Sequence, residues 1–132
     1  MATNIPENFK DLFVKPTFAH LATVMRDGRP QVTPVWIDFD GTHILVNSAT
    51  GRIKDRNLRR DKRVALSILD PDNPYRYLSI SGEVVEITQA GANDHIDTLA
   101  KRYLRKDKYP YHRPGEARVI FKIRPDKVST HG

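Results

Sequence analysis

The chain predicts a mainly β fold of α+β character: a small antiparallel barrel of six or seven strands with about three peripheral helices. Three observations carry this. Two Asp-Gly dipeptides, Asp27-Gly28 and Asp40-Gly41, stand between extended apolar runs, and both residue types tolerate the positive φ of tight hairpin turns. Several later runs alternate apolar and polar residues with period two, as in Leu78 and Ile80 or Val119, Phe121 and Ile123. No regular strand-helix alternation of the kind that builds a parallel sheet is present.

Taken in order, Pro6 to Val14 reads as a short helix, with Pro6 near its first turn and Phe9, Leu12 and Phe13 on one face. Phe18 to Met25, Gln31 to Asp38 and His43 to Ser48 are three strands separated by the two Asp-Gly turns. Gly51 to Arg60 is a connecting helix. Strands follow at Arg63 to Leu69 and Tyr75 to Thr88, the second bent or bulged at Gly82. Gly91 to Arg105 is the clearest helix, because Ile96, Leu99, Ala100, Tyr103 and Leu104 repeat with the spacing of a buried stripe. Lys106 to Glu116, with Pro110, Pro114 and Gly115, is a surface loop, and Ala117 to Arg124 is the last strand.

A length of 132 residues suits one domain, taken as residues 1–132, and neither repeat nor linker interrupts it. The absence of cysteine excludes disulfides, a thiolate nucleophile and Cys-based zinc sites. No apolar run reaches membrane-spanning length and the N-terminus lacks a signal-peptide pattern, so a cytoplasmic protein is expected. The five histidines show no metal-ligand spacing, and His95, beside Asp94 and Asp97, reads as helix surface.

The net charge of +6 predicts an anionic partner. Its placement is informative: residues 52–63 carry seven cations and two anions, which is +5 of the total. Ser48, Thr50 and Gly51 precede this run, where they can cap a helix and admit a ligand close to its backbone. Arg52 and Lys54 add full charges to the partial positive charge of that helix start, giving a phosphate cradle. A solvated basic face is the alternative. Specific nucleic-acid binding is disfavoured because the run holds no aromatic residue for base stacking.

The string Arg26-Asp-Gly-Arg-Pro-Gln-Val-Thr-Pro-Val-Trp36, followed by residues 51–63 and then Asp70-Pro-Asp-Asn-Pro-Tyr75, resembles the pyridoxamine 5'-phosphate oxidase-like, flavin-binding split β-barrel superfamily. The likeness is closer to its deazaflavin (coenzyme F420)-dependent oxidoreductases, and it runs from about Phe9 to Val128. The resemblance implies a homodimer with the cofactor in a groove between subunits. It also implies an enzyme that passes a hydride from reduced F420 to an electrophilic C=C or C=O of a small organic substrate. The alternatives are an FMN-binding oxidase or flavin reductase, and a carrier without turnover.

Carried over by residue, Arg52 and Lys54 match positions that grip the cofactor phosphate, with Ser48, Thr50 and Gly51 beside them and Arg56 and Asn57 following. Gln31, Val32, Thr33 and Pro34 match the strand along the tricyclic ring; Pro34 itself argues for a sheet edge. Tyr75 matches an aromatic that closes the groove. Arg56, Arg59 and Arg60, with Lys101, Arg102, Arg105 and Lys106, are candidates for the acidic tail of F420. No catalytic side chain is identified, as expected where the cofactor carries the chemistry.

Overall fold

The computed structural model describes residues 2–132. After a 3-10 helix at Glu7–Phe13 come β1 (Ala19–Val24), β2 (Pro30–Val35), β3 (Asp38–Phe39), β4 (Ile44–Ala49), α1 (Ile53–Arg60), β5 (Arg63–Asp70), β6 (Asn73–Thr88), α2 (Ala92–Leu104) and β7 (Arg118–His131). All strands join one sheet in the order β2-β1-β5-β6-β7-β4-β3, and every neighbouring pair is antiparallel. Both Asp-Gly sites form the expected hairpin turns, with Gly28 at φ 90° and Gly41 at φ 97°.

One expected strand divides. The run from Gln31 to Asp38 is not continuous, because β2 stops at Val35 and β3 starts at Asp38, and these two strands are the opposite edges of the sheet. Laid flat, seven strands would span roughly 29 Å, whereas the Trp36-Ile37 link reaches only about 11 Å. The sheet therefore curls until its edges nearly meet, as a split barrel. Inside lies one apolar core that includes Leu12, Phe13, Leu21, Ile37, Ile68 and Phe121, each at most 2% exposed.

At the link, the peptide groups leave the ladder and are bonded by the end of α2 instead. The Ile37 N–H donates to Tyr103 Oη (3.1 Å), whose hydroxyl donates to the Thr17 carbonyl (2.8 Å). Arg102 donates to the carbonyls of Phe13 (2.9 Å) and Ile37 (3.2 Å) and to Asp38 (3.2 Å). Trp36 stacks on Tyr103 with ring centroids 5.0 Å apart. The apolar stripe foreseen on this helix is present, with Ile96, Leu99 and Ala100 buried.

The last strand is longer than its pattern suggests, running through Pro125 to His131. Proline fits because it lies opposite Gly82, where the β6-β7 register shifts and no ladder donor is needed. A side chain at Gly82 would collide with the Arg124 carbonyl, so the bulge foreseen there depends on glycine.

The 3-10 helix is clamped to the β5-β6 hairpin by Arg76. Its guanidinium donates to both Asp11 oxygens (3.0 and 2.7 Å), to Asp70 (2.8 Å) and to the Asn8 carbonyl (2.6 Å), and it lies 4.6 Å from the Phe9 ring centre. The Arg76 hydrogen bond, reinforced by Lys15, holds the Asp11 carboxyl at about 2 against the penalty of burial.

Two outcomes are expected. Tyr103→Phe strands the Ile37 N–H and lowers unfolding free energy in urea by about 1–3 kcal/mol. Because the folded Asp11 pKa lies below its ordinary value of 3.8, its contribution is complete above that value and disappears as pH falls towards 2. An acid titration followed by circular dichroism will show Asp11→Asn losing less stability across that window than the wild type.

Candidate functional site: a cationic cleft beside the sheet crossing

The entry to α1 is built by one buried acid. Asp55, 2% exposed, accepts the Gly51 N–H through one oxygen (2.9 Å) and the Arg59 Nε–H through the other (2.9 Å). Gly51 at φ 92° makes the turn that brings its N–H to that carboxylate. The Thr50 N–H donates to the Ala117 carbonyl (2.9 Å) and the Arg52 N–H to the Ala49 carbonyl (3.4 Å). The backbone donors at residues 50–52 are thus engaged within the protein, and the positive charge offered to a ligand comes from side chains.

Those side chains meet in a cleft of about 170 Å³. Arg52 and Lys54 form one side, Trp36, Tyr109 and Tyr111 supply aromatic walls, and Arg118 stands between them. Arg118 is only 4% exposed. Its Nε–H donates to Asn47 Oδ1 (2.9 Å), its Nη1 donates to Glu116 (2.9 Å), and its guanidinium lies 5.1 Å from the Tyr109 ring centre. The same Glu116 also faces Arg52 at 3.8 Å. Lys54, half-buried, has no acidic partner among the described residues. Burial first, then the charges of Arg52 and Arg118, pull its pKa below the ordinary lysine value. One carboxylate against three cations leaves the cleft short of negative charge, which is the electrostatic condition for holding an anion.

The residues expected from the sequence separate into groups. Pro34, Arg52 and Lys54 line the cleft, while Thr50 and Gly51 border an adjoining depression that shares Arg52. Gln31, Val32, Thr33 and Pro34 lie on β2, and that strand is a sheet edge as the proline suggested. Gln31 accepts a hydrogen bond from Thr23 (3.4 Å), and Val32 is exposed. Ser48 is buried with no partner for its hydroxyl among the described residues; strand alternation puts it on the face opposite Asn47. Asn57 is buried and ties α1 to β1 by donating to Thr23 Oγ1 (3.0 Å). Arg56 lines a separate groove with Arg26, Arg59 and Arg60. Tyr75, 78% exposed, lies at the start of β6 and lines neither the cleft nor the adjoining depression.

Of the proposed tail cations, Arg59 is engaged by Asp55, Arg60 by the Val24 carbonyl and Asn57, and Arg102 by the sheet crossing. His95 departs most from expectation. Instead of lying on the helix surface it is 11% exposed, with Nε2 3.0 Å from Asp38 and Nδ1 3.1 Å from the Asn47 amide nitrogen. Sequence reasoning missed Tyr109, Tyr111, Asn47 and Arg118 altogether. For Arg118 a signal existed, since it is the cation that opens the apolar run Val119 to Phe121. Among the described residues no group of three or more acids or histidines could hold a metal, and no helix is long and apolar enough to cross a membrane.

Comparison with known proteins adds to this geometry. A family model described as pyridoxamine 5'-phosphate oxidase matches residues 5–132. A solved structure named F420 reductase is 38% identical, with a TM-score of 0.82 over 95% of this chain and 98% of that one. A conserved hypothetical protein from Mycobacterium tuberculosis is 23% identical, with a TM-score of 0.74 over 98% of this chain and 86% of that one. HutZ, the heme storage protein from Vibrio cholerae, shares the fold at 13% identity, with a TM-score of 0.69 over 98% and 96% of the two chains.

A half-buried cation lacking a counter-ion costs stability until an anion arrives. Lys54→Met will therefore match or exceed the wild type in Tm without ligand. Because the folded lysine pKa is depressed, the unfolded chain holds the extra proton, so the wild type gains on the variant as pH rises towards the ordinary value of 10.5. Thermal melts from pH 7 to 10 measure this.

Proposed function

Because this chain belongs to the pyridoxamine 5'-phosphate oxidase family, we propose that it is an oxidoreductase that binds coenzyme F420 and uses it to reduce a small organic substrate. The observation that carries the reading is Lys54, without an acidic partner among the described residues, beside Arg52 and Arg118. That trio fits a phosphate, which brings the negative charge the cleft lacks. The 38% identity to a protein named F420 reductase favours the deazaflavin over FMN.

Arg52 and Lys54 hold the phosphate by charge-assisted hydrogen bonds. Arg118 is kept in place by Asn47 and Glu116, so it meets an anion without reorganising. Trp36, fixed between Tyr103 and Tyr109 at 5.0 and 5.9 Å, gives a rigid wall suited to a flat ring. The exposed edge of β2, with Gln31, Val32, Thr33 and Pro34, offers backbone groups to the ring and a surface to a second copy of the chain. In such a homodimer, Tyr75 would close the groove from the partner subunit, and Arg56 would add to the cations available to the acidic tail of F420. When bound, reduced F420 would supply a hydride to an electrophilic C=C or C=O, and the residues of this chain would bind and orient it.

Titration of the purified protein with F420 and with FMN, followed by fluorescence, tests the reading. F420 is expected to bind more tightly, and Arg52→Ala and Lys54→Ala each to weaken it by roughly 10- to 100-fold. Preference for FMN, or unchanged F420 affinity in both variants, would overturn it.

A further inference from the structure

A chain of polar contacts runs from the sheet crossing to the cleft, and its hydrogen-bond directions are fixed by chemistry. Arginine has only donors, so the Asn47 oxygen must face Arg118 Nε (2.9 Å). The other end of the same amide lies 2.9 Å from the Ala92 carbonyl, an acceptor, so it must be the nitrogen. The Asn47 NH2 then also faces His95 Nδ1 at 3.1 Å, and this ring nitrogen has to be the acceptor. The ring proton consequently sits on Nε2, where it donates to Asp38 (3.0 Å).

We infer that His95 is a positioning residue for the cationic cleft: as the neutral Nε2–H tautomer it holds the Asn47 amide, and the amide holds Arg118. Protonation of His95 places an N–H on Nδ1 against the Asn47 NH2. The amide cannot relieve that clash by flipping, because its nitrogen would then face Arg118 Nε. Whether the amide flips or is pushed away from His95, Arg118 loses the acceptor that aligns it, so an anion in the cleft is held less well when His95 is charged.

This direction is opposite to simple electrostatics, in which an added positive charge favours an anion. Asp38 on β3 and Arg102 on α2 stand at the Nε2 end. Asn47 on β4 and Arg118 on β7 stand at the Nδ1 end, and Glu116 beyond them also faces Arg52 and His112 at 3.8 and 4.0 Å. His112 is a second histidine beside Glu116, so the test separates the two by substitution.

The inference rests on the reading of the cleft as an anion site only for its functional consequence; the tautomer and the Arg118 restraint are testable without ligand. In the 132-residue chain labelled with 15N, NMR from pH 8 to 5 is expected to show His95 with Nδ1 unprotonated at the basic end. The Arg118 Nε–H resonance should shift with the same midpoint as the His95 ring. His95→Gln places an amide nitrogen where Nε2 stood and an acceptor towards Asn47, but does not titrate, so the Arg118 resonance should become independent of pH.

Sulfate, divalent throughout this range, is the probe for the cleft. Its affinity in the wild type should fall roughly fivefold on acidification, and should stay level in His95→Gln. An Nδ1–H tautomer, an Arg118 resonance indifferent to His95, or an unchanged pH response in His95→Gln would each overturn the inference. Failure of sulfate to bind at any pH would instead count against the anion site, with the ligand-free spectra still deciding the role of His95.

Discussion

The organisation of this protein depends on one short stretch of covalent chain. Trp36 and Ile37 connect the two outer strands of a seven-stranded sheet, and a link of two residues cannot cross a flat sheet of that width. Curling follows, the apolar face becomes the interior of a barrel, and the peptide groups that left the ladder need partners elsewhere. Arg102 and Tyr103 provide them. The docking of α2 against β4 and β7 then brings His95 to Asn47 and the Lys106 to Glu116 loop to Arg118, so the walls of the cleft are a by-product of closing the sheet.

The cleft concentrates charge where a protein usually avoids it. Arg118 is buried, and its tolerance there comes from Glu116, Asn47 and the Tyr109 face acting together; removal of any one would leave a poorly solvated cation. Lys54 has no comparable support. The contrast separates two roles among neighbouring cations, one fixed by the fold and one left for a ligand.

Much of the sheet could be read from alternation and from two Asp-Gly turns, since both are local signals. The division of the Gln31 to Asp38 run could not, because Val35 and Ile37 continue the same alternation across the break and the reason for it is tertiary. The extension of β7 through Pro125 was hidden for a similar reason: proline ends most strands, and only the facing Gly82 bulge admits it. In the cleft, Arg52 and Lys54 were legible from the charge run. Arg118 and Asn47 are not, because only the β4-β7 pairing brings them together across 71 positions, and His95 leaves the solvated face that Asp94 and Asp97 suggest because it packs between Asp38 and Asn47. Ser48 and Asn57, matched through the resemblance, lie off the cleft: strand alternation puts Ser48 on the opposite face of β4 from Asn47, and Asn57 is tied to Thr23 on β1.

The edge strand β2 has a consequence for self-association. Pro30 and Pro34 sit two positions either side of Val32, and neither can donate to β1, so this alternate set of residues faces outward. Of the three, Val32 alone brings an N–H to the open edge. The opposite edge, β3, is two residues long. Neither edge is a template for adding strand after strand, so the sheet resists fibrillar growth while its exposed side chains stay free for a contact of limited extent.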